Sequence, residues 1–376
     1  MISRNCRVLI AGGGTAGHVI PAVAIAQTLY KKEVLKNIDE VHFAGSKRGV
    51  GREIVEQAGF SLTTLPGRGI ERKLSLRNLI SVLSLFQALI QACHLIFKGK
   101  PDVIVVMGGY ASLACGIAGK IFSVPLLVAE QNAVPGSTNR LVSRLAEASA
   151  VSFEDVNLPR AVVTGNPLRS EIIEFIENGS REASRAKFNV GDRTMITVFG
   201  GSLGARRINE VIFDLAEHWE GRSLSIFHIL GSRDWPHFSK QENKISSDVD
   251  YRMFEYVTEM AELLGASDLV ISRSGATSVS EITALGIPSI LIPLPNSPGD
   301  HQTANARFFE KNNSAVLLSD FEFDYSSLAK EITGLLEEGG RLKEMEKNAR
   351  TAARLKASEE IVDLISGIMK RGSDAR

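Results

Sequence analysis

Short aliphatic runs alternate with longer amphipathic stretches along almost the whole chain. In the first half, residues 7–11, 41–44, 62–65, 103–107, 126–129 and 148–152 read as strands. In the second half, 194–199, 225–230, 251–254, 269–272, 289–292 and 315–318 repeat the pattern. Uniformly apolar strands separated by helical periods predict parallel sheets covered on both faces, an α/β fold. Each half thus carries six predicted strands and opens on a glycine-rich turn. The first is Gly12-Gly13-Gly14-Thr15-Ala16-Gly17-His18, the second Gly200-Gly201-Ser202-Leu203-Gly204-Ala205. A strand that ends in glycines and starts a helix aims unpaired backbone N–H groups at one spot, where a phosphate can sit. Two such turns predict two nucleotide-type domains facing across a cleft. Thr164-Gly165-Asn166-Pro167 breaks any regular element and sets the boundary, giving domains over 1–166 and 167–352. The charged tail from about Arg341 to Lys370 reads as helical, and a return of 353–376 to the first domain stays open.

Residues 78–97 hold no Asp, Glu, Lys or Arg, a length that could span a bilayer. Ser81, Ser84, Gln87, Gln91 and His94 recur every three or four positions, so the pattern predicts an amphipathic helix rather than a spanning one. Composition narrows the class. A chain of 376 residues, 44% hydrophobic and 23% charged, suits a soluble globular enzyme of two or three domains. Its 43 basic and 43 acidic residues cancel, which leaves no global field to draw in nucleic acid. Cys6, Cys93 and Cys115 form no close pair and no metal-ligand spacing, as expected of a reducing compartment without structural zinc. No charged-then-apolar leader is read at the N-terminus.

The first turn fits G-x-G-x-x-G through Gly12, Gly14 and Gly17. A dinucleotide site wants an acidic residue at the end of the second strand. Asp39 and Glu40 precede that strand instead, and it ends Ala44-Gly45-Ser46-Lys47, which counts against NAD. His18 starts the first helix, where the dipole disfavours the imidazolium and leaves a neutral ring able to take a proton. A structural histidine is the alternative. Gly108-Gly109-Tyr110-Ala111-Ser112 and Glu130-Gln131-Asn132 follow the fourth and fifth strands, which should bring Tyr110, Glu130 and Asn132 to the same rim. Tyr110 could equally be a packing aromatic. A buried Glu130 would need partners, which favours a polar site. In the second half, small residues in 272–280 allow a ligand to approach, and Glu281 either accepts ribose hydroxyls or is a solvated helix charge. Gly299-Asp300-His301-Gln302 follows the next strand. No acidic cluster has metal-ligand spacing, so diphosphate charge would fall to backbone amides, helix dipoles and Arg169.

Together, GGGTAGH (12–18), GGYAS (108–112), AEQNAVPG (129–136), TGNPLR (164–169), GGSLGARRIN (200–209), SRSGATSVSEI (272–282) and DHQTANA (300–306) resemble, in order, the MurG family of bacterial peptidoglycan glycosyltransferases. The resemblance implies two Rossmann-like domains with parallel sheets facing across a cleft, the GT-B type. It implies an inverting transfer that needs no metal and no cofactor. GlcNAc would pass from UDP-GlcNAc to the 4-hydroxyl of the muramoyl sugar in undecaprenyl-diphospho-MurNAc-pentapeptide (lipid I), giving lipid II. By position, Thr15, Ala16, Gly17 and Asn132 would meet the donor, Arg169 and Ser202 the diphosphate, and Val257 the uracil. Ala276, Thr277, Ser278 and Glu281 would hold the nucleoside, and Gln302 the sugar. His18 is implied as the base, with Tyr110 and Glu130 near the acceptor. Ala16 and Gly51 depart from the family's commoner Gly and Glu.

The resemblance also implies a peripheral protein at the cytoplasmic face of the inner membrane, with an anionic surface and cell-wall synthesis proteins as candidate partners. Leu76, Leu79, Val82, Leu83 and Phe86 are candidates for a dipping face. Residues 61–100 carry Arg68, Arg72, Lys73, Arg77, Lys98 and Lys100 against Glu71 alone. Two other readings stay open: a UDP-GlcNAc 2-epimerase of similar architecture, and a non-catalytic nucleotide-sugar binder.

Overall fold

The computed structural model describes residues 2, 6–47, 51–67, 76–201, 204–240 and 245–374, with side chains omitted at 76–80 and 373–374. The chain divides into two compact units, Met1–Arg169 with Arg354–Arg376, and Ser170–Ala353.

The first unit is built on seven strands: β1 (Val8–Ala11), β2 (Val41–Ser46), β3 (Ser61–Leu65), β4 (Val103–Val106), β5 (Leu126–Glu130), β6 (Ala148–Val151) and β7 (Ala161–Val163). They run in the order β3-β2-β1-β4-β5-β6-β7, every neighbouring pair parallel. The sequences VLIA of β1 and VIVV of β4 are buried at every position, as central strands covered on both faces must be. One face is covered by the helix Ala16–Lys31 and by the terminal helix Ala357–Asp374. Ile25 and Leu29 of the former share a core with Ile361, Val362 and Ile365 of the latter. Each such aliphatic side chain contributes roughly 1.5–3 kcal/mol by leaving water. An ion pair between Lys32 and Asp363 closes the edge of this contact at 2.5 Å.

The second unit repeats the scheme with β8 (Thr194–Phe199), β9 (Leu224–Ile229), β10 (Val249–Phe254), β11 (Leu269–Ser272), β12 (Ser289–Leu291) and β13 (Ala315–Leu317). Their order is β10-β9-β8-β11-β12-β13, again all parallel. In both sheets the chain reverses its direction of strand addition after the third strand. The crevice beyond the carboxyl ends of β1 and β4, and of β8 and β11, is where ligands bind in such sheets. Both glycine turns follow the strand at that reversal.

The strand counts are unequal, which corrects the reading of six in each half. The seventh strand, β7, is a three-residue edge strand whose side chains are exposed or half-buried. An edge strand that buries so little carries no hydrophobic period to read.

The helix Leu76–Gly99 packs on the helix Tyr110–Ile121. Its 81–99 segment is long and apolar enough to cross a membrane, with mean hydropathy 1.4. The face turned toward the protein is small: Ser81, Ala88, Ala92 and Gly99 are buried, along with Leu95 and Ile96. Ser81 therefore leaves the outward polar stripe proposed for it. The larger apolar residues Val82, Leu83, Phe86, Ile90 and Phe97 are exposed.

Candidate functional site

At the carboxyl end of β1, the backbone passes from Gly12 into the helix Ala16–Lys31, whose first turn carries His18. The imidazole lies between two glycines. A Cβ on Gly13 would stand 2.9 Å from Nδ1, and a Cβ on Gly108 would stand 3.1 Å from Nε2. Only hydrogen at both positions leaves the ring its place. Gly108 and Gly109 have φ of +116° and +83°, backbone that favours glycine. Thr15 Oγ1 contacts His18 Nδ1 at 3.2 Å. Ser112, fully buried, ties the two strand ends together: its hydroxyl lies 2.6 Å from the Ala11 carbonyl and accepts the Gly108 N–H at 3.1 Å.

Tyr110 opens the helix after β4, and its hydroxyl bonds Ser46 Oγ at the end of β2 at 2.7 Å. Its ring lies so close over Gly67 that a Cβ there would be 2.2 Å away. The structure thus brings His18, Thr15 and Tyr110 to neighbouring strand ends. Gly51 packs on the same turn, since a Cβ on it would lie 3.0 Å from Val19 and 3.5 Å from the Gly14 Cα.

Glu130 behaves differently from a rim carboxylate. It is 3% exposed, and both oxygens are occupied. Oε1 accepts the Asn132 N–H at 3.0 Å; Oε2 accepts the Gly136 N–H at 3.0 Å and Asn139 Nδ2 at 2.8 Å. Removing such a buried acceptor strands several donors, each worth about 1–3 kcal/mol. Glu130 staples the loop 131–139 and so holds Asn132 at the end of β5. Asn139, missed from sequence, is the third residue of the helix Ser137–Val142, and its burial shows only in the fold.

In the second unit, the turn after β8 needs its glycines for contact. A Cβ on Gly200 would sit 2.2 Å from Ala205 Cβ, and one on Gly204 (φ +86°) 2.1 Å from the Leu230 carbonyl. Ser202 lies outside the described residues. Beneath Gly204 is Asp234, whose side chain is fully buried. It accepts Arg206 Nε at 3.2 Å, Arg233 Nε at 3.1 Å and Asn209 Nδ2 at 3.1 Å. Burial would raise its carboxyl, but bonds and charge from Arg233 and Arg206 outweigh that and hold it below the usual range. Asn209 Nδ2 also donates to the Leu230 carbonyl, so its oxygen faces His228 Nε2 at 3.0 Å, which must carry the proton. His228 Nδ1 then accepts the Tyr251 hydroxyl at 2.6 Å. Burial pushes the His228 pKa down to about 3, keeping the ring neutral.

Ser272, Ser274 and Ala276 are buried as β11 passes into the helix Ala276–Ala284; Thr277 and Ser278 are half-buried on its first turn. Glu281 is 4% exposed, so it is no solvated helix charge. Ser274 Oγ donates to the Gln302 carbonyl at 2.8 Å, and Gln302 Oε1 accepts the Leu294 N–H at 2.9 Å. Gln302 is thereby fixed against the end of β12. Arg273, missed from sequence, bonds the Ile292 and Pro293 carbonyls and pairs with Asp320, joining three strand ends. Val257 is half-buried in the segment after β10, and Arg169 half-buried where the first unit ends. Among the described residues no cluster of His, Cys, Asp or Glu could hold a metal.

Residues 8–151 match the glycosyltransferase family 28 N-terminal domain, and 195–362 the glycosyltransferase family 28 C-terminal domain. A relative from Acetivibrio thermocellus is 36% identical over 97% of this chain and 98% of its own length. It is named UDP-N-acetylglucosamine--N-acetylmuramyl-(pentapeptide) pyrophosphoryl-undecaprenol N-acetylglucosamine transferase. The crystal structure of Acinetobacter baumannii MurG aligns over 96% of this chain and 99% of that one, at 26% identity and TM-score 0.74. A UDP-GlcNAc 2-epimerase from Neisseria meningitidis aligns over 96% and 99%, with TM-score 0.64 but only 15% identity, a likeness of fold alone. Two parallel Rossmann-like sheets, both family 28 domains and full-length identity above a third converge: the chain belongs to the MurG family of N-acetylglucosamine transferases.

Proposed function

We propose that this chain transfers N-acetylglucosamine from UDP-GlcNAc to the 4-hydroxyl of the muramoyl sugar of lipid I, forming lipid II. The observation that carries the mechanism is the His18 imidazole set between Gly13 and Gly108 at the end of β1. With Nδ1–H donating to Thr15 Oγ1, Nε2 holds the lone pair and removes the proton from the acceptor hydroxyl. That oxygen attacks the anomeric carbon from the face opposite UDP, inverting it, and the diphosphate leaves. Arg169, Ser202 and the helix N-termini meet its charge. Glu281 binds the ribose, Gln302 the sugar and Val257 the uracil, while Ala276, Thr277 and Ser278 line the nucleoside. Thr15, Ala16, Gly17 and Asn132 meet the donor. Glu130 and Tyr110 act as positioning residues, because their polar atoms already hold the loop 131–139 and Ser46.

Incubation of the full chain with labelled UDP-GlcNAc and a short-chain lipid I analogue is expected to give labelled disaccharide and UDP, with chelator present or absent. Epimerised UDP-sugar without acceptor would point to the epimerase reading, and donor binding with no turnover to a silent binder.

Val82, Leu83 and Phe86, exposed on the helix Leu76–Gly99, together with Leu76 and Leu79, form a peripheral contact with anionic lipid at the cytoplasmic face of the inner membrane. Two apolar side chains moved out of lipid cost about 1.5–3 kcal/mol each. Leu83→Glu with Phe86→Glu is therefore expected to lower co-sedimentation with anionic vesicles at least ~10-fold, with turnover of a water-soluble acceptor retained. Unchanged co-sedimentation would remove this contact.

A further inference from the structure

Resting on the transferase reading, we propose that Arg206 and Arg233 form a diphosphate-recognising pair beside the second glycine turn, set in place by the buried carboxylate of Asp234. The ligand chemistry is a sugar-linked diphosphate, from either the nucleotide donor or the lipid-linked acceptor.

The pair differs from another arginine cluster of this unit. Arg181 and Arg185 also share one carboxylate, that of Asp268. They donate further to the carbonyls of Ser267, Ala266, Gly191 and Arg193, and Arg185 is only 19% exposed. That cluster lies at the amino ends of β8 and β11, away from the ligand edge, and its donors are spent on the fold. Arg206 and Arg233 lie at the carboxyl end of β8 and β9, with side chains 44% and 54% exposed. Asp234 takes Nε and Nη2 of each, and Arg233 adds one long bond to the Gly204 carbonyl at 3.3 Å. None of these bonds uses Nη1 of either residue.

Two guanidiniums against one carboxylate leave a unit of positive charge at the turn. A carboxylate with no exposure cannot release its partners to water without a large desolvation penalty, so both are held in orientation before any ligand arrives. The Phe238 ring under the Arg206 guanidinium, 5.4 Å from its centroid, fixes it further. The chain Tyr251–His228–Asn209 locks Asp234 from the inner side, so the frame is continuous from the core to the turn. Planar forks held this way suit the paired oxygens of a diphosphate better than a point charge would.

The test is calorimetric titration of the full chain with uridine, UDP and UDP-GlcNAc, followed by kinetics with the lipid I analogue. For Arg206→Gln and Arg233→Gln we expect UDP affinity to fall about ten-fold each, with uridine affinity unchanged. Arg206→Lys and Arg233→Lys keep the charge on Asp234 and lose the fork, so UDP affinity stays lowered in a chain whose melting is normal. If UDP binding holds while the KM for the acceptor alone rises about ten-fold, the recognised diphosphate is the acceptor's. If neither UDP affinity nor acceptor KM moves, the pair is structural and the proposal falls. A wild-type chain that binds no UDP-GlcNAc would instead sink the transferase reading.

Discussion

Replacing His18 with alanine is expected to lower kcat by about 10²–10⁴-fold, with the KM for UDP-GlcNAc little changed. The size follows from the role. A positioned base takes the proton as the acceptor oxygen forms its bond, a transition-state interaction that donor binding does not feel. The split between kcat and KM is the sharper readout, since a histidine that merely packed the turn would alter donor binding and stability together. The ring lies over glycine backbone on both sides and its Nδ1 faces the exposed Thr15 hydroxyl, so its removal opens a small space at the turn and leaves that hydroxyl to water. Melting should therefore shift little. Near-normal turnover of lipid I analogue by the alanine variant would end the assignment.

Strands such as VLIA and VIVV declare themselves because a parallel strand is buried on both faces and needs no partner to be recognised. The glycine turns are legible for the same local reason. What the sequence hid were contacts made across distance and choices between two faces. Tyr110 reads as a rim or packing aromatic until Ser46, 64 positions away, is seen to hold its hydroxyl. Glu130 reads as a polar group near the acceptor; only the fold of 131–139 shows both oxygens filled by the loop it anchors. Asp234 lies 28 positions from Arg206 and carries no motif, yet it is the buried charge on which the second turn rests. The helix Leu76–Gly99 has both small and large apolar residues at helical spacing. Periodicity alone does not say which set faces the protein. The structure turns the small ones inward and leaves Phe86 60% exposed. The basic residues Arg68, Arg72 and Lys73, which precede it in the sequence, lie outside the described residues, as do the side chains of Arg77, Leu76 and Leu79.

Gly13→Ala is expected to reduce kcat about 10²-fold while leaving the fold and UDP affinity close to wild type. Alanine at Gly108 would confuse the result, because φ of +116° there makes any side chain a backbone problem. Gly13 has no such positive φ, so the cost falls on the space its new methyl needs. That methyl would lie 2.9 Å from His18 Nδ1 and 3.5 Å from the Gly108 carbonyl. The imidazole is the movable partner, at the end of a flexible side chain, and it swings away from Thr15 Oγ1. Displacement of a catalytic group by about 1 Å costs on the order of 10² in rate. The decisive measurement is the double variant. If Gly13→Ala acts only by moving His18, adding it to His18→Ala removes nothing more, because the group it displaces is already gone. Losses that multiply would mean that Gly13 serves the reaction by another route, such as its own N–H, and wild-type kcat in the single variant would show that the ring tolerates the methyl.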